Sequence, residues 1–420
     1  MRKALVCAMA MAAGLAAAGC SGARPVTVST AVTTRTALAT AAPSQRPSGP
    51  PPGVIARFRW SVLGNSPLGP RSEELLTMAG DQLVELGGLV GVTNESPGHV
   101  SPDAAAFDPA TGRWRRLASI PGSATSSPDM WSPVSLWTGR DLLVANGPLR
   151  SCAAGCWTGA ALFSPAEDRW STLTAPKQLD GLTIDAAAWT GTAIVVAAVD
   201  GKHERLGVGA YNPATRRWQV ITPTLPKGHP TQWAELVAAD GRIILWSLWD
   251  RVTSTTYGSG ETAGVDVLAM RQLGTWRDVT GDWPQNKLVV SPVFTGTAIL
   301  LSPGQIWCGN CIPPYTWNPG YFADPVTLAR TVIPAGPLGE VNPQFIWTGD
   351  AIIADNADAE SSGPGGQIRP GDLALWDPAT GHWTKLRPVP GSLRMSATPV
   401  WTGTELLAVA DNGQLLAFHH

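Results

Sequence analysis

One short pattern recurs seven times along this chain and constrains what it can fold into. An apolar stretch ends in Trp-Thr-Gly or a relative, and a second apolar stretch follows at once. The clear copies are Trp137-Thr138-Gly139 before LLVANG, Trp189-Thr190-Gly191 before AIVVAA, Phe294-Thr295-Gly296 before AILLSPG, Trp347-Thr348-Gly349 before AIIADN and Trp401-Thr402-Gly403 before ELLAVA. Ala79-Gly80-Asp81 and Asp240-Gly241-Arg242 are weaker copies. The turn glycines fall at 80, 139, 191, 241, 296, 349 and 403, so the unit is 50 to 59 residues long. A tandem unit of this size is a small supersecondary element that hides its apolar faces only by stacking on its neighbours.

A second pattern lies between these turns: an aromatic residue, a tight turn of Asp-Pro type, then a Trp. It reads FDPATGRW at 107–114, FSPAEDRW at 163–170, YNPATRRW at 211–218 and WDPATGHW at 376–383. Asp or Asn caps such a turn, Pro presets φ at the next position and Gly tolerates positive φ, so the chain reverses between two strands. The Trp has an apolar partner three residues on: Leu117, Leu173, Ile221 and Leu386, with Trp276 and Val279 continuing the series. The fifth unit keeps Trp317-Asn318-Pro319 without the second Trp. This slot accounts for the aromatic bias, 19 Trp against 4 Tyr and 7 Phe.

Each unit thus supplies four strands: a before the Trp-Thr-Gly turn, b after it, c before the Asp-Pro turn and d beginning at the Trp. Sheets of this kind stacked around an axis bury both faces and leave only short edges. Over residues 56–420 the repeat resembles the kelch motif, although the diglycine common after strand b of kelch units occurs only as Gly87-Gly88. The resemblance implies an all-β, seven-bladed kelch-type β-propeller with four-stranded antiparallel blades. The seventh unit ends without a strand d, and Arg59-Trp60-Ser61-Val62-Leu63 repeats the form of Arg113-Trp114-Arg115-Arg116-Leu117. The N-terminal strand is therefore expected to complete the last blade.

The segment before the ring has another character. Arg2 and Lys3 precede an apolar run from Ala4 to Ala18, too short to span a bilayer as a helix, and Ala17-Ala18-Gly19-Cys20 follows. This resembles a bacterial lipobox, which implies that residues 1–20 are a lipoprotein signal and that Cys20 is acylated. Ala17 stands where Leu is usual, so ordinary signal cleavage and secretion is the alternative. Residues 21–54 are rich in Ala, Thr, Ser and Pro and read as a disordered tether, with a reach of roughly 30 to 40 Å. The propeller is placed at 55–420, outside the cytoplasm and held to a membrane by its N-terminus. Its 25 basic and 32 acidic side chains argue against nucleic acid as a partner.

Cys152 with Cys156, and Cys308 with Cys311, fall in the b–c connections of the second and fifth units. Two local disulfides suit an exported chain, and a shared four-Cys zinc site is the sharper alternative. In kelch propellers the d–a and b–c loops share a face that commonly binds partners. Here that face carries Trp131, Trp233, Tyr257, Trp307 and Arg394. Glu74, Asp185 and Glu235 fall four residues before the turn aromatic, at one slot of the innermost strand. There they would ring the channel mouth and take a cation or a hydroxyl-rich ligand, or else hydrogen-bond to neighbouring backbone.

Enzymatic readings have little to stand on. A copper radical oxidase resembling galactose oxidase needs two Tyr, two His and a Cys bonded to a Tyr; here Tyr211 fills the structural aromatic slot, and local pairing of the loop cysteines would leave no free Cys for the crosslink. The S-x-D-x-G-x-x-W box of sialidases is absent, as are G-x-S-x-G, a metal-ligand His pair and a phosphate loop. A sugar-epimerising kelch enzyme would cast Arg394 and Glu235 as its polar pair. The expectation is a binding or scaffold propeller, without cofactor or metal, offering its loop face to a protein, peptide or glycan. The alternative is an extracellular carbohydrate-active enzyme, epimerase-like or hydrolytic, that uses the three carboxylates.

Overall fold

The computed structural model describes residues 49–420, apart from 94–95, 122–133, 147–158, 201–204, 256–257, 282, 284–288, 304–318, 339–342, 356–371 and 392. Seven four-stranded antiparallel sheets form a ring. Blade one comprises Leu75–Ala79, Gln82–Leu86, Ala104–Asp108 and Arg113–Arg116 as strands a to d, with a small hairpin, Leu89–Thr93 and Ser96–Val100, added between b and c. Blades two to six repeat this order from Val134 to Lys385. The a–b and c–d turns lie on one side of the ring, here the turn face. The d–a and b–c connections lie on the other, the loop face.

Blade seven takes its strands a to c from Val400–Trp401, Leu406–Val409 and Gln414–His419, and its strand d from Arg59–Asn65. The closing pair is antiparallel, with Arg59 opposite His419 and Trp60 opposite Phe418, and a bulge between Val62 and Gly64. The closure expected from the sequence is therefore present. Phe58, 1% exposed, packs edge-on to Phe418 at 5.6 Å between ring centroids.

Why the recurring aromatic is Trp and not Phe follows from its indole N–H. Trp170 donates to the carbonyl of Ala118 at 2.8 Å and Trp383 to that of Pro334 at 2.8 Å, while Trp276 donates to Ile221. Each acceptor lies just after strand d of the preceding blade. Trp60 makes the same bond to Arg387 at 3.0 Å, so the closing strand is held to blade six as any other strand d is held to its neighbour. Trp114, next after the bulged strand, has no such acceptor among the described residues.

The turn motif also has a physical basis. Thr138 Oγ1 accepts the Asp141 N–H at 3.0 Å and donates to the Asp141 carbonyl at 2.8 Å, and Thr190, Thr295, Thr348 and Thr402 repeat the arrangement. One hydroxyl thus satisfies both polar groups of a four-residue turn. The two weaker copies are different turns. Ala239 pairs directly with Arg242, and Asp240 and Gly241 have φ of 48° and 67°, the geometry of a two-residue type I′ hairpin. Strands b are buried on both faces, as Leu142, Leu143, Val144 and Ala145 show, because each blade is covered by a neighbour on either side.

The packed part of the chain reaches back beyond the closing strand. A helical turn, Pro52–Ile55, buries Ile55 completely in the apolar cluster between blades six and seven. Ahead of it Gly49 lies so close to the Thr348 carbonyl that a Cβ there would meet the oxygen at 2.1 Å. Thr348 belongs to the a–b turn of blade six, so the N-terminal chain meets the ring on its turn face.

Candidate functional site

Asp185 and Glu235 occupy neighbouring innermost strands, Thr183–Trp189 and Thr231–Ala239. Asp185 is the extra residue of a bulge between Ile184 and Ala186, and its Oδ2 accepts the N–H of Ala234 in blade four at 2.9 Å. Glu235 lies opposite Trp246 and accepts the N–H of Ser291, which sits at φ 54° in a bulge of blade five. The two carboxylates thus connect blade three to four and four to five along the channel. Burial pushes Glu235 up to about 7, opposed by the Ser291 N–H and reinforced by the charge of Asp185.

Glu74 stands apart from this pair. It precedes its strand, because the tight hairpin of blade one makes Ala79, not Met78, the last residue paired. The three carboxylates therefore sit at three different registers. Glu74 is 3% exposed and Glu85, on the adjacent strand, 0%. Ser396 of the blade six to seven connection donates to Glu74, and Ser66, just after the closing strand, donates to Glu85. Arg71, also buried, approaches Glu85 at 3.6 Å and donates to the Gly87 carbonyl at 2.6 Å. This cluster fastens the seam where blade seven meets blade one. Desolvation pushes Glu74 up to about 7, with Ser396 the main opposing influence, and pushes Glu85 upward as well.

Among the described residues the loop face is most developed on blade four. Its strands b and c run through Arg242–Thr255 and Gly258–Arg271, whereas strand a pairs only as far as Trp249 and strand d only at Leu268 and Ala269. The outer part is a two-stranded ribbon standing above the ring. At its base His229, from the blade three to four connection, bonds through Nδ1 to both oxygens of Asp266 at 3.0 and 2.9 Å. The imidazole stacks on Trp249 at 4.2 Å and 21° and keeps about a third of its surface open, 32%. Beneath, Thr231 and Ser247 share a buried hydroxyl bond of 2.7 Å. Burial pushes the Asp266 carboxyl up, and His229 opposes the shift. A buried carboxylate fixing one ring nitrogen while the other edge faces outward suits contact with, or proton transfer to, an external group.

Trp233 is half-buried and packs against the core between blades four and five. Arg394 is exposed in the blade six to seven connection, where its carbonyl accepts the Asp411 N–H at 2.9 Å. Trp131, Tyr257, Trp307, Cys152, Cys156, Cys308 and Cys311, like Cys20, lie outside the described residues. Sequence reasoning missed His229, Asp266 and Trp249, whose only trace was the long apolar run IILWSLW before an acidic residue. Among the described residues no three His, Cys, Asp or Glu converge as a metal-holding group, and no helix is long and apolar enough to cross a membrane.

No protein-family model matches the chain, and no curated protein matches it. Solved structures do. An oligogalacturonate lyase in complex with manganese matches with a TM-score of 0.52 at 12% identity, over 86% of this chain and 96% of that one. An oligogalacturonate lyase from Vibrio parahaemolyticus matches with a TM-score of 0.52 at 11% identity, over 86% and 97%. The likeness establishes the seven-bladed propeller fold. The manganese of the first finds no counterpart group of ligands among the described residues.

Proposed function

We propose that this chain is an exported kelch-type propeller, anchored through an acylated Cys20, that binds a glycan on its loop face around the blade-four ribbon. The observation that carries this reading is the division of labour among its polar groups. Asp185 and Glu235 are engaged with backbone N–H groups of adjacent blades and Glu74 with Ser396, all contacts that hold the ring together. His229 and Trp249 offer a polar and aromatic ledge of the kind that recognises sugar rings. The test is a glycan array that includes oligogalacturonate, with peptide pull-downs in parallel, on the chain from residue 21. Trp249→Ala is expected to weaken a positive signal about 10-fold or more, the effect of removing a central aromatic contact. Silence on the array, or binding indifferent to Trp249→Ala, refutes the reading.

A second reading, a carbohydrate-active enzyme, draws support from the His229–Asp266 pair alone. In that case His229 is the proton-handling group and Asp266 holds its orientation. Incubation of the same glycans with wild type and His229→Gln decides it: fragmentation lost in the variant with binding retained supports catalysis, and no fragmentation by wild type ends that reading.

A further inference from the structure

The two faces of the ring differ in charge, and the chain meets only one of them. Strand d begins with an arginine in six blades: Arg113, Arg169, Arg217, Arg277, Arg330 and, on the closing strand, Arg59. With the arginines of the neighbouring turns and the Arg57 just before the closing strand, the turn face holds eleven, and no lysine, against ten carboxylates. Several of those carboxylates fold back onto their own turns. Asp108 accepts the Ala110 N–H and Asp377 the Ala379 N–H, each at 2.9 Å, and Asp324 accepts two. The rest of residues 55–420 holds fourteen basic and twenty-two acidic side chains, of which Glu74, Glu85, Asp266 and Asp355 are buried, so arginine is more concentrated on the turn face than elsewhere in the ring.

The N-terminal chain joins that same arginine-bearing side. Gly49 is buried against the Thr348 carbonyl and within 3.7 Å of Trp401 for an added Cβ, and Ile55 is locked beneath blades six and seven. Gly49, the first described residue, thus lies on the turn face. Guanidinium groups pair with phosphate oxygens through their planar fork, and basic residues near an anionic leaflet each contribute about 1 kcal/mol of attraction.

We infer that the turn face is the membrane-facing side of this propeller, resting on anionic lipid headgroups, and that the loop face with the His229 ledge is directed outward. The inference takes from the anchored reading only the agent that brings the chain to the membrane. The row of arginines and the place where the chain joins the ring select the same orientation.

The test uses the chain from residue 21, which lacks the signal and the acylated Cys20, and vesicles of phosphatidylglycerol and phosphatidylcholine carrying a labelled lipid. A photo-crosslinker at Arg216 or Thr404 on the turn face is expected to label lipid about five-fold or more above one at Lys227 or Arg394 on the loop face. Arg216→Glu with Arg217→Glu is expected to weaken vesicle binding by about 25-fold or more, the loss of two basic contacts, while Lys227→Glu leaves it unchanged. Circular dichroism confirms that each variant is folded. Equal labelling from both faces, stronger labelling from the loop face, or no labelling from either overturns the inference. Detergent-phase partition of the chain with Cys20 intact reports separately on acylation, so a failed anchor and a wrong face give different results.

Discussion

Glu74 makes the sharpest quantitative case. Replacing it by Gln removes a carboxyl whose pKa is raised from 4.5 to about 7 by burial, beside Glu85 and Arg71 and under the Ser396 hydroxyl. Between those two values the folded protein binds a proton that the unfolded chain has released. Its contribution to stability is therefore fully present below pH 4.5, falls as pH rises and is gone above about 7. A rise of that size amounts to about 3 kcal/mol at about 1.4 kcal/mol per pH unit. Glu74→Gln keeps an acceptor for Ser396 but cannot ionise, so relative to wild type it gains about 3 kcal/mol on going from pH 4.5 to pH 8. Burying an amide adds a penalty independent of pH, and the comparison is therefore of slopes. Urea denaturation followed by tryptophan fluorescence, in steps of pH, measures both proteins. Parallel stability profiles for variant and wild type would show that Glu74 ionises as an ordinary carboxyl, and that the seam does not desolvate it.

Other consequences are more local. Phe58→Ala is expected to cost about 3 to 5 kcal/mol in the same urea assay, because the ring lies in the core between blades six and seven; a cost below about 1 kcal/mol would mean the N-terminal segment is not part of the closed core. Trp383→Phe keeps the packing but loses the bond to Pro334, for a loss of about 1 kcal/mol, whereas the same change at Trp114, which has no acceptor among the described residues, leaves stability nearly unchanged. Gly49→Val drives a side chain into the Thr348 carbonyl, and faster protease cleavage near residue 50 is the expected readout.

How much of this was legible follows the range of the interactions. The Trp-Thr-Gly and Asp-Pro turns were readable because every group in them is satisfied within about four residues, as the Thr138 and Asp108 bonds show. The closing strand was readable because Trp60 had to occupy the same slot as Trp170 and Trp383. The candidate site was mostly not. Asp185 meets Ala234 only through a bulge, and a one-residue displacement moves a side chain to the other side of a strand. Glu74 was aligned with Asp185 and Glu235 by counting, and the two-residue hairpin of blade one broke that count. His229 and Asp266 lie 37 residues apart and meet because the blade three to four connection brings His229 beside strand c of blade four, a long-range contact that no local motif announces.

The closing strand also bears on how the molecule is made. Arg59–Asn65 leaves the ribosome well before the strand it pairs with, Gln414–His419. Until that later strand has been made the first strand waits with an unsatisfied edge, and the incomplete arc behind it exposes the apolar side of its newest blade. Termination ahead of residue 414 leaves both ends of that arc open, so the nascent chain needs protection from self-association until Gln414–His419 has been made.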